Sequence, residues 1–186
     1  MQTKRDEILD TAGRLLERQG YQATGLNEII RESGAPKGSL YHYFPEGKQA
    51  LVVETIARTR DGIAANIEEV MAGHDDPAAA IPAFIRELAR RVEALDYCGG
   101  GPITAVALEA ASTDEMLRLA CRDAYRAWRG LFAAKLQPAV GPRADRLAGL
   151  VLASLEGGIV LARTERSARP LLDVADEIET LLRATR

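Results

Sequence analysis

Thr24-Gly25-Leu26-Asn27-Glu28-Ile29-Ile30-Arg31-Glu32-Ser33-Gly34-Ala35-Pro36-Lys37-Gly38-Ser39-Leu40-Tyr41-His42-Tyr43-Phe44-Pro45-Glu46-Gly47-Lys48 reads as two short helices joined by a tight turn. Gly34 takes the positive φ that ends a helix, and Pro36 is suited only to opening the next one. Upstream, Thr24 is the expected N-cap of a helix over 25–33, in which Leu26, Ile29 and Ile30 share one face. A second helix over 36–43 places Leu40 and Phe44 four apart on its buried side. Lys37, Ser39, Tyr41, His42 and Tyr43 are left largely outside. Two helices meeting at a sharp angle, the second presenting polar groups, are what a DNA-reading helix-turn-helix requires.

The outward groups suit a nucleic acid. Lys and Tyr reach phosphate oxygens and fix register, while Ser39 and the bare backbone at Gly38 approach base edges closely. The helix start at Lys37 adds free amides, and Lys48, opening the next helix, adds a second ammonium, so the two lysines bracket one strand. The expected DNA-contact set is Thr24, Lys37, Gly38, Ser39, Tyr41, His42, Tyr43 and Lys48.

Residues 4–51 resemble the DNA-binding domain of the tetracycline-repressor (TetR) family of bacterial one-component regulators. The resemblance rests on Ile8-Leu9 and Ala12, the link Gly20-Tyr21-Gln22-Ala23-Thr24, the run 29–34, and Lys37-Gly38-Ser39-Leu40-Tyr41-His42-Tyr43-Phe44. Phe44-Pro45-Glu46-Gly47-Lys48 and Tyr97-Cys98-Gly99-Gly100-Gly101-Pro102 are similar to the LmrA/YxaF-like subgroup. Gly25 stands where many members have Ser or Thr, and Pro36 where a Ser commonly caps the recognition helix, so hydroxyl contacts at those positions are not carried over.

The 186 residues are 47 % hydrophobic with only 5 % aromatics, which points to an all-α chain. No run of eighteen uncharged apolar residues exists, and the N-terminus lacks the apolar core of a signal peptide, so a cytoplasmic protein without membrane contact is expected. A net charge of −3 argues against binding a polyanion. Up to Lys48, however, seven bases balance seven acids, and placement matters more than the sum.

Cys98 and Cys121 are too far apart for a Cys-x-x-Cys site and lack clustered His, so both read as buried thiols and no metal or cofactor is implied. His74-Asp75-Asp76 lies in a polar break between helices, and Gly99-Gly100-Gly101-Pro102 has neither a preceding strand nor a following Lys-Ser, which leaves it a flexible corner rather than a phosphate loop.

Beyond the reader, apolar residues three or four apart predict helices over 47–71, 77–95, 103–111, 114–137, 142–166 and 170–185, about nine helices in all. The expected division is a DNA-binding domain at 1–48 and a helical ligand-binding and dimerisation domain at 49–186. Leu147, Leu150, Val151, Ser154, Leu155, Gly158, Ile159 and Ala162 form a stripe interleaved with small residues. Leu171, Leu172, Val174, Ala175, Ile178, Leu181 and Leu182 form another, and two such helices from each of two chains close a four-helix homodimer interface. Paired readers then expect a near-palindromic double-stranded operator with half-sites ~34 Å apart or a multiple of it.

The resemblance also implies a central cavity for a small-molecule effector. Its expected wall is Ile63, Ile67, Phe84, Leu88, Tyr97, Thr104, Leu108, Tyr125, Trp128 and Phe132, although plain core uses the same residue types. Glu156 and Arg91, if inward, would need a partner in each other or in the ligand. An enzyme built on Glu109, His42 or Cys98 lacks any spaced nucleophile, base and orienter. A helical dimer that binds another protein, its helix-turn-helix merely structural, is the remaining alternative. The expectation is therefore a regulator, most simply a repressor that a small-molecule inducer releases from its operator.

Overall fold

Gly and Pro punctuate this chain, and the elements end where they stand. The computed structural model describes residues 3–99 and 101–185. Among the described residues, nine α-helices run α1 Lys4–Ala23, α2 Leu26–Ser33, α3 Lys37–Tyr43, α4 Lys48–Ala72, α5 Pro77–Ala94, α6 Pro102–Ala110, α7 Glu115–Val140, α8 Ala144–Glu165 and α9 Arg169–Ala184, with a 3-10 turn at Gly141–Arg143. No strand occurs among the described residues.

The ends have local causes. Thr3 and Asp6 form a reciprocal capping box that satisfies two of the orphan amides at the start of α1. Gly34 closes α2 at φ 64°, the left-handed conformation expected of it. Asp76 caps α5, accepting from the Ala78 amide at 2.9 Å, so the His74-Asp75-Asp76 segment is a helix start. One boundary differs from expectation. α1 continues past a kink at Gly20 (φ 83°, ψ −178°) to Ala23, and Thr24 terminates α1, its hydroxyl donating to the Gly20 carbonyl at 2.7 Å. The N-cap of α2 is Gly25, which has no side chain to give.

The chain forms two compact units: Met1–Asp61 with Gly101–Ala124, and Gly62–Gly100 with Tyr125–Arg186. Sequence alone suggested a cut after residue 48, but in space α6 joins the helix-turn-helix, packing along α1. The first unit buries Ile8, Leu15 and Leu16 of α1 with Ile29, Leu40, Phe44 and Leu51. Arg58 of α4 bridges Asp6 and Asp10 of α1 at 3.0 and 2.7 Å.

In the second unit α9 packs on both α5 and α8. Arg86 of α5 grips Asp176 and Glu179 of α9 at 2.8 and 2.9 Å. Where α8 meets α9, a Cβ on Gly158 would stand 2.8 Å from Leu171, so glycine is what allows the approach. An 18-residue window within 115–165 reaches a mean hydropathy of 1.5, enough by length and composition to cross a membrane, and 39 % of it is buried. Part of that apolar surface belongs to α8, where Leu150, Val160 and Leu161 are exposed.

Candidate nucleic-acid interface

The exposed face of α3 is built by two anchors. Leu40 and Phe44 are buried at 0 and 1 % exposure, which turns Tyr41 (46 %) and Tyr43 (38 %) outward, with Lys37, Gly38 and His42 also exposed and Ser39 half-buried. His42 and Tyr43 meet edge to face at 5.2 Å between centroids, and Tyr43 does the same with Phe44 at 6.5 Å. Those contacts hold the outward His42 and Tyr43 rings edge to face beside the buried Phe44. Nothing lies within 4 Å of a Cβ built at Gly38.

Charge partners sharpen the picture. Lys4 pairs with Glu7, Arg5 with Glu54, Arg18 with Glu32, and Arg31 with Glu28 and Glu32, while Arg14 donates to the Thr11 hydroxyl. Among the described residues up to 48, Lys37 is the one base without an internal partner. It therefore has an ammonium free for a phosphate at no cost in broken contacts.

Two expected members of the set sit elsewhere. Thr24 is fully buried and spends its hydroxyl on the Gly20 carbonyl, because the α1 kink brings that carbonyl to it; it has no surface to offer DNA. Lys48 is half-buried, its Nζ donating to the Tyr21 carbonyl at 2.6 Å and lying 4.1 Å over the Tyr21 ring. Desolvation lowers its pKa against the opposing pull of Glu109. Lys48 thus fastens α4 to the end of α1 instead of standing free beside α3.

The residues expected of an effector wall differ in burial. Phe84 and Phe132 are buried with centroids 5.8 Å apart, Ile67 is buried, and Ile63, Leu88 and Tyr97 are half-buried. Tyr125 and Trp128 meet edge to face at 5.6 Å, and the Tyr125 hydroxyl bonds Glu156 Oε2 at 3.1 Å. Glu156 thus has the Tyr125 hydroxyl as a partner, and Arg91 is exposed. Leu108 is 78 % exposed and is no wall residue, because α6 turns its other side to α1; Thr104, half-buried, belongs to the same helix. Cys121 is buried, but Cys98 is exposed, as the corner after α5 lifts it out of the core.

The expected interface stripe is offset by one helical position. Leu147, Val151, Leu155, Gly158, Ile159 and Ala162 of α8, with Leu171 and Ile178 of α9, are buried within their own chain. Ser154, Val174 and Leu181 are half-buried. The outward stripe is Leu150, Ser154, Gly157 and Leu161, spaced four, three and four apart, and a groove of about 430 Å³ lies between α8 and α9 beside Ser154, Leu161 and Val174. The stripe read from the sequence already held Leu150 and Ser154 of this face, and the same period extends it to Gly157 and Leu161.

Comparison with known proteins agrees at both ends of the chain. Residues 8–55 match the family of bacterial regulatory proteins of the tetR family, and residues 77–177 match the C-terminal domain of LmrA/YxaF-like transcriptional regulators. Two HTH-type transcriptional regulators of Bacillus subtilis, YxaF and LmrA, are each 40 % identical over 181 residues, covering 96 % of this chain and 95 and 96 % of theirs. Among solved structures, a TetR transcriptional regulator from Chloroflexus aurantiacus aligns with a TM-score of 0.83 at 28 % identity, covering 97 % of this chain and 94 % of that one. The reduced form of Escherichia coli NemR gives 0.83 at 22 %, with 96 % of both chains covered, and speaks to the fold alone.

Proposed function

Because the chain belongs to the TetR family of bacterial transcriptional regulators and is a DNA-binding regulator rather than an enzyme, we propose that it works as a homodimeric repressor that reads a near-palindromic operator and is released by a small-molecule inducer. The observation that carries the reading is the α3 ridge: Lys37 unpartnered, and Tyr41, His42 and Tyr43 outward over the buried Leu40 and Phe44. In this reading Lys37 and the tyrosine hydroxyls hold phosphates, and Gly38 and Ser39 lie against base edges.

Dimerisation is supported by α8, whose apolar residues occupy two faces when the chain itself covers only one. Leu150 and Leu161 flank Ser154 and Gly157, and small residues between large ones let a second copy of the helix approach closely. Pairing doubles the contacts that one seven-residue recognition helix makes alone. The inducer site is proposed among Tyr125, Trp128, Phe84 and Phe132, whose two ring pairs offer apolar surface and whose Tyr125–Glu156 hydrogen bond offers a polar handle. Effector binding acts on α4, a single helix that begins in one unit and ends in the other. A coupling of ~1–3 kcal/mol would lower operator affinity roughly 5- to 150-fold. The protein then acts in the cytoplasm, where its DNA is.

The test is selection of duplexes from a random-sequence library by the purified chain, followed by mobility shift with the chain's own upstream promoter fragment. A recovered palindrome with salt-dependent binding is the expected result. Absence of any sequence preference sinks the reading.

A further inference from the structure

Three side chains, those of Glu109, Lys48 and Thr24, converge on the corner Gly20–Ala23, where α1 bends before the reader begins. The Gln22 amide donates to Glu109 Oε2 of α6 at 2.7 Å, across 87 residues of sequence separation. Gly20, buried and at φ 83°, makes room: a Cβ there would run into the Glu109 carboxylate. From α4, Lys48 donates to the Tyr21 carbonyl at 2.6 Å, and Glu109 is the carboxylate whose charge acts on it. The Thr24 hydroxyl closes the bend by donating to Gly20, and Gln49, next to Lys48, donates to Asp114 beyond the end of α6 at 2.7 Å.

The last amides of a kinked helix end have no intrahelical acceptor once the ladder breaks, and a carboxylate is the strongest acceptor a side chain can supply. Glu109 fills that role from a helix distant in sequence, so α6 adds a long-range hold to the local Thr24–Gly20 closure on the path the chain takes from α1 toward α2. We propose that Glu109 is a positioning residue for DNA recognition: its carboxylate, holding the Gln22 amide beside the Lys48 ammonium, fixes the exit angle of α2–α3 and thereby the fit of α3 to its cognate sequence. Glu109 itself touches no DNA. The inference rests on the regulator reading above and adds to it the residue that aims the reader.

The probe is a duplex selected from the random library by the unaltered chain, compared with an unrelated duplex of the same length. Glu109→Ala is expected to weaken binding to the selected duplex about tenfold, while affinity for the unrelated duplex and its salt slope stay unchanged. Glu109→Gln keeps an oxygen acceptor for the Gln22 amide and is expected to restore binding to within about threefold of the original. A merely structural role would lower both affinities together through the folded fraction. If Glu109→Ala does not fold, Glu109→Asp, which draws the carboxylate back by one methylene, takes its place with the same expectation. Equal discrimination by the altered and unaltered chains overturns the proposal, as does a loss in Glu109→Gln as large as in Glu109→Ala. Failure of the unaltered chain to select any sequence would instead overturn the regulator reading.

Discussion

Gly38 is exposed in α3 and fills no space inside the chain, so its missing side chain has value only toward something outside. Gly38→Ala is expected to raise stability slightly, by about 0.5–1 kcal/mol from helix propensity, and to weaken operator binding by about tenfold as the added methyl holds the backbone off the bases. Thermal melts and mobility shifts on one preparation separate the two effects. Lys37 and Lys48 part company in the same way. Lys37→Ala is expected to flatten the salt dependence of binding by about 0.9 per protomer, whereas Lys48→Ala leaves that slope intact because its ammonium already serves the Tyr21 carbonyl. An unchanged slope in the Lys37 variant would remove it from the interface.

Cys121 gives a residue-scale test of pH. Burial pushes its thiol up from 9.0 to about 11, so the folded state holds the proton that the unfolded state releases. The stability contributed is full below about pH 9 and is lost progressively as pH rises towards 11, the direction required when the native state binds more protons. Thiol labelling at pH 8 is expected to count one reactive cysteine, Cys98, in the folded protein and two after denaturation. Two equivalents under native conditions would contradict the burial of Cys121.

At the scale of elements, Gly158 sets how closely α8 and α9 pack. Gly158→Val drives its branched side chain into Leu171 and Val174 and is expected to destabilise the fold by about 1–3 kcal/mol, measured by denaturant unfolding. Gly157, one residue earlier and facing outward with open space beside it, accepts Ala without loss of monomer stability. The contrast between neighbours shows how α8 divides its small residues between two faces. Helix ends at Gly34 and Pro77 are legible in the sequence, because these residues act through their own backbone chemistry. The role of Thr24 was not, since Ser and Thr cap a helix start and close a helix end equally well. The kink at Gly20, made permanent by a carboxylate from α6, decided between them.

For the whole molecule, the proposed operator reading turns on the proposed homodimer. Replacing Leu150 and Leu161 together with Glu is expected to leave the helical content unchanged, since both side chains are exposed, and to convert the dimer to monomer in sedimentation analysis. Operator affinity should fall with it by more than a hundredfold, because two half-sites are no longer bound as one event. A dimer that persists in this variant would place the contact elsewhere than α8.

Helix content, the turn at Gly34, the buried anchors Leu40 and Phe44 and the polar ridge between them are all set by neighbours within about seven positions. Backbone preference and the 3.6-residue period act over that range, so reading along the chain is sufficient to find them. Long-range packing made the remaining choices: that α6 joins the reader, that Lys48 is fastened to Tyr21, that Leu108 faces out, and that α8 keeps Leu147 and Val151 inside while turning Leu150 and Leu161 to the surface. Such choices lie between faces or partners of nearly equal local propensity. The burial and hydrogen bonds that distinguish them come from residues scores of positions away, and exist only once the chain has folded back on itself.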